Sequence, residues 1–322
     1  MKFLPLALAS LTLLSLTHCG ISMGPSISKV SFAHGQTSSG WVPTQIIYGD
    51  LYIPITVNGH SMWGLLDSGT QRTIIPLDLA KSLGVHSFNN ATVNAYGGKL
   101  RGGFGSKITV QIGAMTYVLF HPGVVPFGPI AQKFIPKNAI ILGEDIFLKN
   151  AVEIKSFGQK ARFSRPDSLS ASMTKTDNVA KITMIHGMLT IPAAITGGPS
   201  AQLHLDTGDN GVCTLSANNT LIKHWIAAKP TRSKKQPTGI ETIGLAGLYQ
   251  SRSVTLSHLK LANLTFNNLP CELSNSVVNN SPVIGSIGFS LMQNFNVTFD
   301  YPAHKIYFKP ELKSGSPIPG RS

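Results

Sequence analysis

Acidic side chains are scarce in this chain: 14 Asp and Glu stand against 27 Lys and Arg, and only 13% of its 322 residues are charged. With 42% hydrophobic residues, so weakly charged a chain is not a disordered one. Cysteine is nearly missing as well, with three in all, which excludes a small disulfide-dense scaffold. Beyond the first 20 residues no apolar run reaches membrane-spanning length. There is no Gly-x-Ser-x-Gly elbow, no His-Glu-x-x-His pair and no phosphate-cradling Gly-x-x-x-x-Gly-Lys-(Ser/Thr) loop, and the ten His are scattered singly. The expectation is therefore a chain without metal or other cofactor. What is plentiful is Gly and Pro, 31 and 20 residues, spread without period. That composition excludes collagen and predicts many short strands joined by turns, a mostly β fold.

The formal charge of +13 invites a nucleic-acid reading, but the basic residues are dispersed. The one dense run, Lys229 to Lys235, has no interleaved aromatics and reads as a solvated loop, so no nucleic-acid partner is expected. At the other end of the chain, Lys2 precedes an apolar stretch from Phe3 to Leu16, the pattern of a signal peptide over residues 1–19. Leu16-Thr17-His18-Cys19 resembles the lipobox of bacterial lipoproteins, which implies lipidation of Cys19 and membrane anchoring through it. His18 stands where a lipobox carries a small residue, so lipidation and plain cleavage both stay open. Either route predicts an exported protein of the periplasm or cell envelope, or a secreted one. Asn-x-(Ser/Thr) triplets at Asn90, Asn263 and Asn296 matter only in a eukaryotic secretory route. Two cysteines remain beyond the leader, Cys213 and Cys271; a disulfide and two buried thiols are both open readings.

The informative feature is a duplication. Leu51-Tyr-Ile-Pro-Ile-Thr-Val57-Asn-Gly59 returns as Leu189-Thr-Ile-Pro-Ala-Ala-Ile195-Thr-Gly197. Each copy is followed by two residues leading into an acid and a turn: Leu65-Leu66-Asp67-Ser68-Gly69-Thr70 in the first, His204-Leu205-Asp206-Thr207-Gly208-Asp209 in the second. Each then closes alike, on Ile141-Leu142-Gly143 and Ser286-Ile287-Gly288, running on to Phe163 and Phe308. The period is ~140 residues, a domain-scale repeat rather than a solenoid. Within each copy apolar residues alternate, as in Leu51, Ile53, Ile55 and Val57, or Val152 and Ile154, or Val297 and Phe299, so these are strands with one face inward. A short helix is expected after Gly143 and after Gly288, with Asp145 and Ser290 as capping residues and Glu144 at the helix start. The boundaries that follow are a flexible tether over 20–43, a first half over 44–165, a linker over 166–178, a second half over 179–310 and a tail over 311–322.

Asp-(Ser/Thr)-Gly entered from apolar residues, twice at equivalent places, resembles the active-site triplet of the retropepsin and pepsin clan of aspartic proteases. The order triplet, Gly-rich flap, apolar-apolar-Gly, short helix and final strand extends the resemblance from about Ile46 to Lys309. It implies two retropepsin-like β-barrel halves related by a pseudo-twofold, acting as a monomeric intramolecular pseudo-dimer on a peptide or protein substrate. It implies Asp67 and Asp206 as the catalytic pair, supported by Ser68, Gly69, Thr70, Thr207 and Gly208. It also implies a flap over Tyr96 to Gly105, with Tyr96, Gly97 and Gly98 at the substrate, and a second over Thr238 to Gly247. Such a pair shares one proton and activates a water for attack on a peptide bond without an acyl-enzyme. The chain departs from the pattern at Asp209, where a small or hydroxyl residue is usual. That third carboxylate either raises the pKa of the pair or marks an inactive site that only binds extended peptides.

Overall fold

The structure, a computed structural model, describes residues 28–157, 159–169, 175–176, 178–185, 188–195, 200–227, 239–275 and 282–310. The leader over 1–19 with Cys19, the basic run from Lys229 and the tail over 311–322 lie outside the described residues. The chain is mostly β, in three sheets of eleven, six and eight strands. Among the described residues no helix is long and apolar enough to cross a membrane.

The duplication is visible in the pairing. In the first half Asp50–Val57 turns back through Asn58 and Gly59, both at positive φ, into His60–Leu66. A two-residue Asn-Gly turn with both φ positive matches the twist of the strands it joins. Ala139–Leu142 then lies parallel to His60–Leu66, with Leu142 beside Leu66, and antiparallel to Ile74–Pro76. The second half repeats the set: Met188–Ile195 against Ser200–Asp206, Val283–Gly288 parallel to Ser200–Asp206, and Val283–Gly288 antiparallel to Cys213–Ser216. Each half thus places the end of its second strand, where the triplet begins, in the interior of a sheet.

The six-stranded sheet joins the halves. Ala151–Lys155 pairs antiparallel with Phe295–Asp300, setting Ile154 beside Val297 and Val152 beside Phe299. These four alternate residues are buried in one apolar cluster that draws on both halves. Phe299 is fully buried, edge-on to Phe147 at 5.7 Å and stacked on Tyr301 at 5.9 Å between centroids.

Three expectations need correction. The tether was expected to reach residue 43, yet Ser28–Phe32 pairs with Met115–Leu119 and Val42–Pro43 with Lys160–Ala161, so the fold begins by residue 28. Edge pairing uses backbone groups alone, and a Ser- and Gly-rich composition does not forbid it. The one-turn helices Glu144–Phe147 and Phe289–Met292 stand where expected, but neither Asp145 nor Ser290 caps its helix. Asp145 instead accepts the N–H and the hydroxyl of Thr73 at 2.9 and 2.7 Å, and Ser290 donates to the Asn210 carbonyl. Within the expected linker, Pro166–Ser168 is a turn of 3-10 helix, and Thr176 and Asn178 bond to Phe308.

Truncating Phe299 to Ala leaves a cavity where the halves meet. The expected cost is about 3–5 kcal/mol, read as a lower midpoint in urea denaturation followed by far-UV circular dichroism.

Candidate active site

Asp67 directly follows the strand His60–Leu66, and Asp206 ends the strand Ser200–Asp206. Both carboxyls are fully buried. Each triplet turns tightly, Thr70 N–H reaching back to the Asp67 carbonyl and Asp209 N–H to the Asp206 carbonyl. The middle hydroxyls then tie one turn to the other. Ser68 N–H donates to Thr207 Oγ1 at 2.9 Å, and Thr207 N–H donates to Ser68 Oγ at 3.1 Å. Ser68 Oγ donates onward to the Leu205 carbonyl at 3.0 Å, and Thr207 Oγ1 to the Leu66 carbonyl at 2.8 Å. Both hydroxyls accept one bond and donate another, all buried, which is the full use of a hydroxyl in a dry site.

This cross-bracing stacks each triplet's glycine under the opposite carboxyl. A Cβ on Gly69 would overlap the Asp206 carboxyl, and one on Gly208 would overlap that of Asp67. Glycine is required here by the approach of the partner acid. The closing glycines obey a similar constraint: a Cβ on Gly143 would strike the backbone of Arg72, and one on Gly288 the backbone of Gly211. Glu144 N–H bonds the Thr70 carbonyl at 2.7 Å, and Phe289 N–H the Asp209 carbonyl at 2.6 Å. The apolar-apolar-Gly elements thus serve as floors under the two triplet turns.

The two carboxyls are held differently. Asp67 accepts Gly69 N–H through Oδ1 at 2.8 Å and the Thr70 hydroxyl through Oδ2 at 2.9 Å. Asp206 accepts Gly208 N–H and Asp209 N–H through Oδ1, both at 3.1 Å, and its carboxyl shares a hydrogen bond with that of Asp67. Burial raises both pKa values. For Asp67 the bonds from Thr70 and Gly69 oppose the rise. For Asp206 the charges of Asp67 and then Asp209 add to it, so the two carboxyls titrate as one pair with the proton held to higher pH than on a lone acid.

Asp209 is itself fully engaged, accepting Gly211 N–H at 2.8 Å and the hydroxyls of Thr214 and Ser286 at 3.1 and 3.2 Å. It braces its own loop and acts on the pair through its charge. Asp145, bonded to Thr73, braces the corresponding loop of the first half.

Above the pair two hairpins meet. Ser87–Ala95 and Gly98–Gly105 form one, with Tyr96 and Gly97 at its tip; Gly239–Gly244 and Gly247–Leu261 form the other. Ala246 N–H donates to the Tyr96 carbonyl at 3.0 Å, and a Cβ on Gly97 would overlap the Gly247 backbone. Tyr96 is buried, lies 5.0 Å from the Tyr249 ring and shares a hydrogen bond with Ser286, within the fields of Asp209 and Asp206. Both hairpins extend beyond the expected flaps, beginning at Ser87 in the first half and running to Leu261 in the second. Gly98 follows the tip with its φ at 142°.

The structure therefore brings Asp67, Ser68, Gly69, Thr70, Asp206, Thr207 and Gly208 to one point, with Tyr96 over it. Cys213 and Cys271 are unbridged buried thiols in contact on neighbouring strands, with Cys213 in the field of Asp209. Sequence reasoning missed four neighbours: Asp50, on which the charges of Asp67 and Asp209 act; Ser286, bonded to Asp209; Tyr249, against Tyr96; and the buried His204, held by the Ser68 backbone with its pKa lowered to about 4 by burial. Only Asp50 left a signal, an acid two positions before Tyr52 at the start of an otherwise apolar strand.

Thr207→Ala removes one acceptor and one donor from the cross-brace. Each orphaned buried group is expected to cost about 1–3 kcal/mol, and Thr207→Ser to recover most of the loss; urea midpoints of the three proteins measure both.

No curated protein sequence matches the chain. A family model described as "Aspartyl protease" matches residues 53–143, the stretch that holds Asp67, its triplet, the first hairpin and Gly143. Through that stretch the chain resembles the aspartic protease clan, and at the coarse level of the family it is aspartic-protease-like.

Proposed function

We propose that this chain is an exported aspartic endopeptidase, its two halves acting as barrel-like lobes about a pseudo-twofold with the catalytic pair between them. The observation that carries the reading is the mutual stacking of each carboxyl over the other triplet's glycine, held by the reciprocal Ser68 and Thr207 bonds. Two acids so placed share one proton.

In the working cycle Asp67 takes a proton from a water held between the acids. Asp206, protonated, gives its proton to the oxygen of the scissile carbonyl as the water oxygen bonds to carbon. The tetrahedral product collapses by breaking the C–N bond, and the amine leaves with a proton returned through the pair. No covalent enzyme intermediate forms. The hairpin tips part to admit an extended peptide and close over it, offering backbone groups to its strand and excluding water. The leader over 1–19 and the Cys19 motif support export to the periplasm or envelope, with lipid anchoring at Cys19 and a monomeric working form.

Proteolysis of a denatured protein substrate, scanned from acid to neutral pH with and without a pepstatin-type inhibitor, tests this reading. Asp67→Asn and Asp206→Asn are each expected to lose about 10²–10⁴-fold in rate while keeping the far-UV spectrum of the parent. Peptide binding without turnover at any pH would establish the non-catalytic reading instead.

Asp209 supplies a second expectation. Its charge raises the pKa of Asp206, and Asp206 must be protonated to act as the acid. Removing the charge with Asp209→Asn lowers that pKa, so the alkaline limb of the pH–rate profile moves toward acid, and an unmoved limb excludes the coupling.

A further inference from the structure

Asp50 is a buried acid that the catalytic scheme does not use. It opens the strand Asp50–Val57, whose register pairs Tyr52 with Leu65. Continued by two residues, that register brings Asp50 level with Asp67. On its other side the chain is docked on the second triplet loop: Gly49 packs against Asn210, and Asn210 Nδ2 donates to the Tyr48 carbonyl at 3.1 Å. Asp50 thus stands between the two triplet loops, its carboxyl within the fields of Asp67 and Asp209.

The side chain is fully buried, and neither Oδ1 nor Oδ2 has a hydrogen-bond partner in the protein. The same is true of the Tyr52 hydroxyl, which shares the strand face two residues on and feels the Asp50 charge. Buried polar groups without partners are uncommon, and two beside each other call for an explanation. Their setting supplies one. Tyr52 packs with Leu65, Val93, Leu100, Phe127 and Leu245, an apolar cluster that includes residues of both hairpins. The unpartnered Tyr52 oxygen therefore borders an apolar cluster that reaches both hairpins, with the Asp50 carboxyl on the same strand face beside the acid pair.

Two acceptors at the end of an apolar wall, in the field of further carboxyls, suit a ligand with a hydrocarbon stem and a cationic head. A bare metal ion suits them less. Among the described residues no three His, Cys, Asp or Glu side chains are disposed to hold one.

We infer that Asp50 and Tyr52 form the end of a substrate subsite that takes a Lys or Arg side chain, so that the cleft selects peptides carrying a basic residue beside the bond it acts on. The inference rests on the peptide-cleft reading above and names its substrate class. The ammonium or guanidinium donates to the Asp50 carboxylate and the Tyr52 oxygen, while the methylene stem lies along the apolar wall.

The test uses a fluorogenic peptide scanned through each position around the cleaved bond with Lys, Arg, norleucine and Glu. At one position the wild type is expected to favour Lys and Arg over norleucine by about tenfold or more in kcat/KM. Asp50→Asn brings that ratio to about one. The same peptides are bound to the Asp206→Asn protein and to Asp50→Asn/Asp206→Asn, with affinity read by fluorescence anisotropy. Cleavage by the wild type with no basic preference at any position overturns the subsite and leaves the endopeptidase reading standing. No cleavage, with Lys peptides still bound tenfold better than norleucine peptides by the Asp206→Asn protein only when Asp50 is intact, overturns the endopeptidase reading and supports the subsite. A preference that survives Asp50→Asn, or equal or absent binding of both peptides, overturns it. If Asp50→Asn does not fold, the wild-type comparison of Lys with norleucine still decides, since its failure alone removes the proposal.

Discussion

Everything at the centre of this molecule depends on two hydroxyls that each accept a backbone N–H from the other half and donate to a backbone carbonyl. Ser68 and Thr207 do more than join two turns. Because their bonds are directional and buried, they fix the rotation of each triplet, and that rotation lays each glycine beneath the other triplet's acid. The hydrophobic effect brings the halves together through the six-stranded sheet and the Phe147, Phe299 and Tyr301 rings, but it is not directional. The sheet brings the halves into contact, and the hydroxyls set their register.

The scarcity of acids takes on a physical meaning in this setting. Asp50, Asp67, Glu144, Asp206 and Asp209 are all buried, in each case with the pKa raised chiefly by burial and with like charges or hydrogen bonds adjusting the rise. A basic chain keeps a substantial share of its few carboxyls where water does not reach them. Such groups are held in their neutral forms more readily than on the surface, and the fold carries the desolvation cost.

Much of this is legible in the sequence. The strand alternation of Leu51 to Val57, the paired triplets and the closing glycines each rest on a local rule, and the structure follows it in both halves. What escaped did so because it depends on partners distant in sequence. The residues from Ser28 to Pro43 look like a tether by composition, and only the free edges of Met115–Leu119 and Lys160–Ala161 make strands of them. Asp145 resembles a helix cap, but Thr73 offers it two donors and the helix offers fewer. The two acids differ in setting because Asp209 and Thr70 occupy matched positions of the two triplets. That comparison needed the geometry to show that Thr70 bonds its aspartate while Asp209 turns away.

The mismatch between Thr70 and Asp209 carries a consequence of its own. A dimer of identical chains presents two equivalent acids, and an incoming ligand can lie across them in either direction with equal energy. Here the two matched positions differ within one chain, so the surroundings of the two acids are not equivalent. On the proposed reading the cleft thereby acquires a heading, since an extended peptide reversed across the pair would meet a different acid at each of its ends.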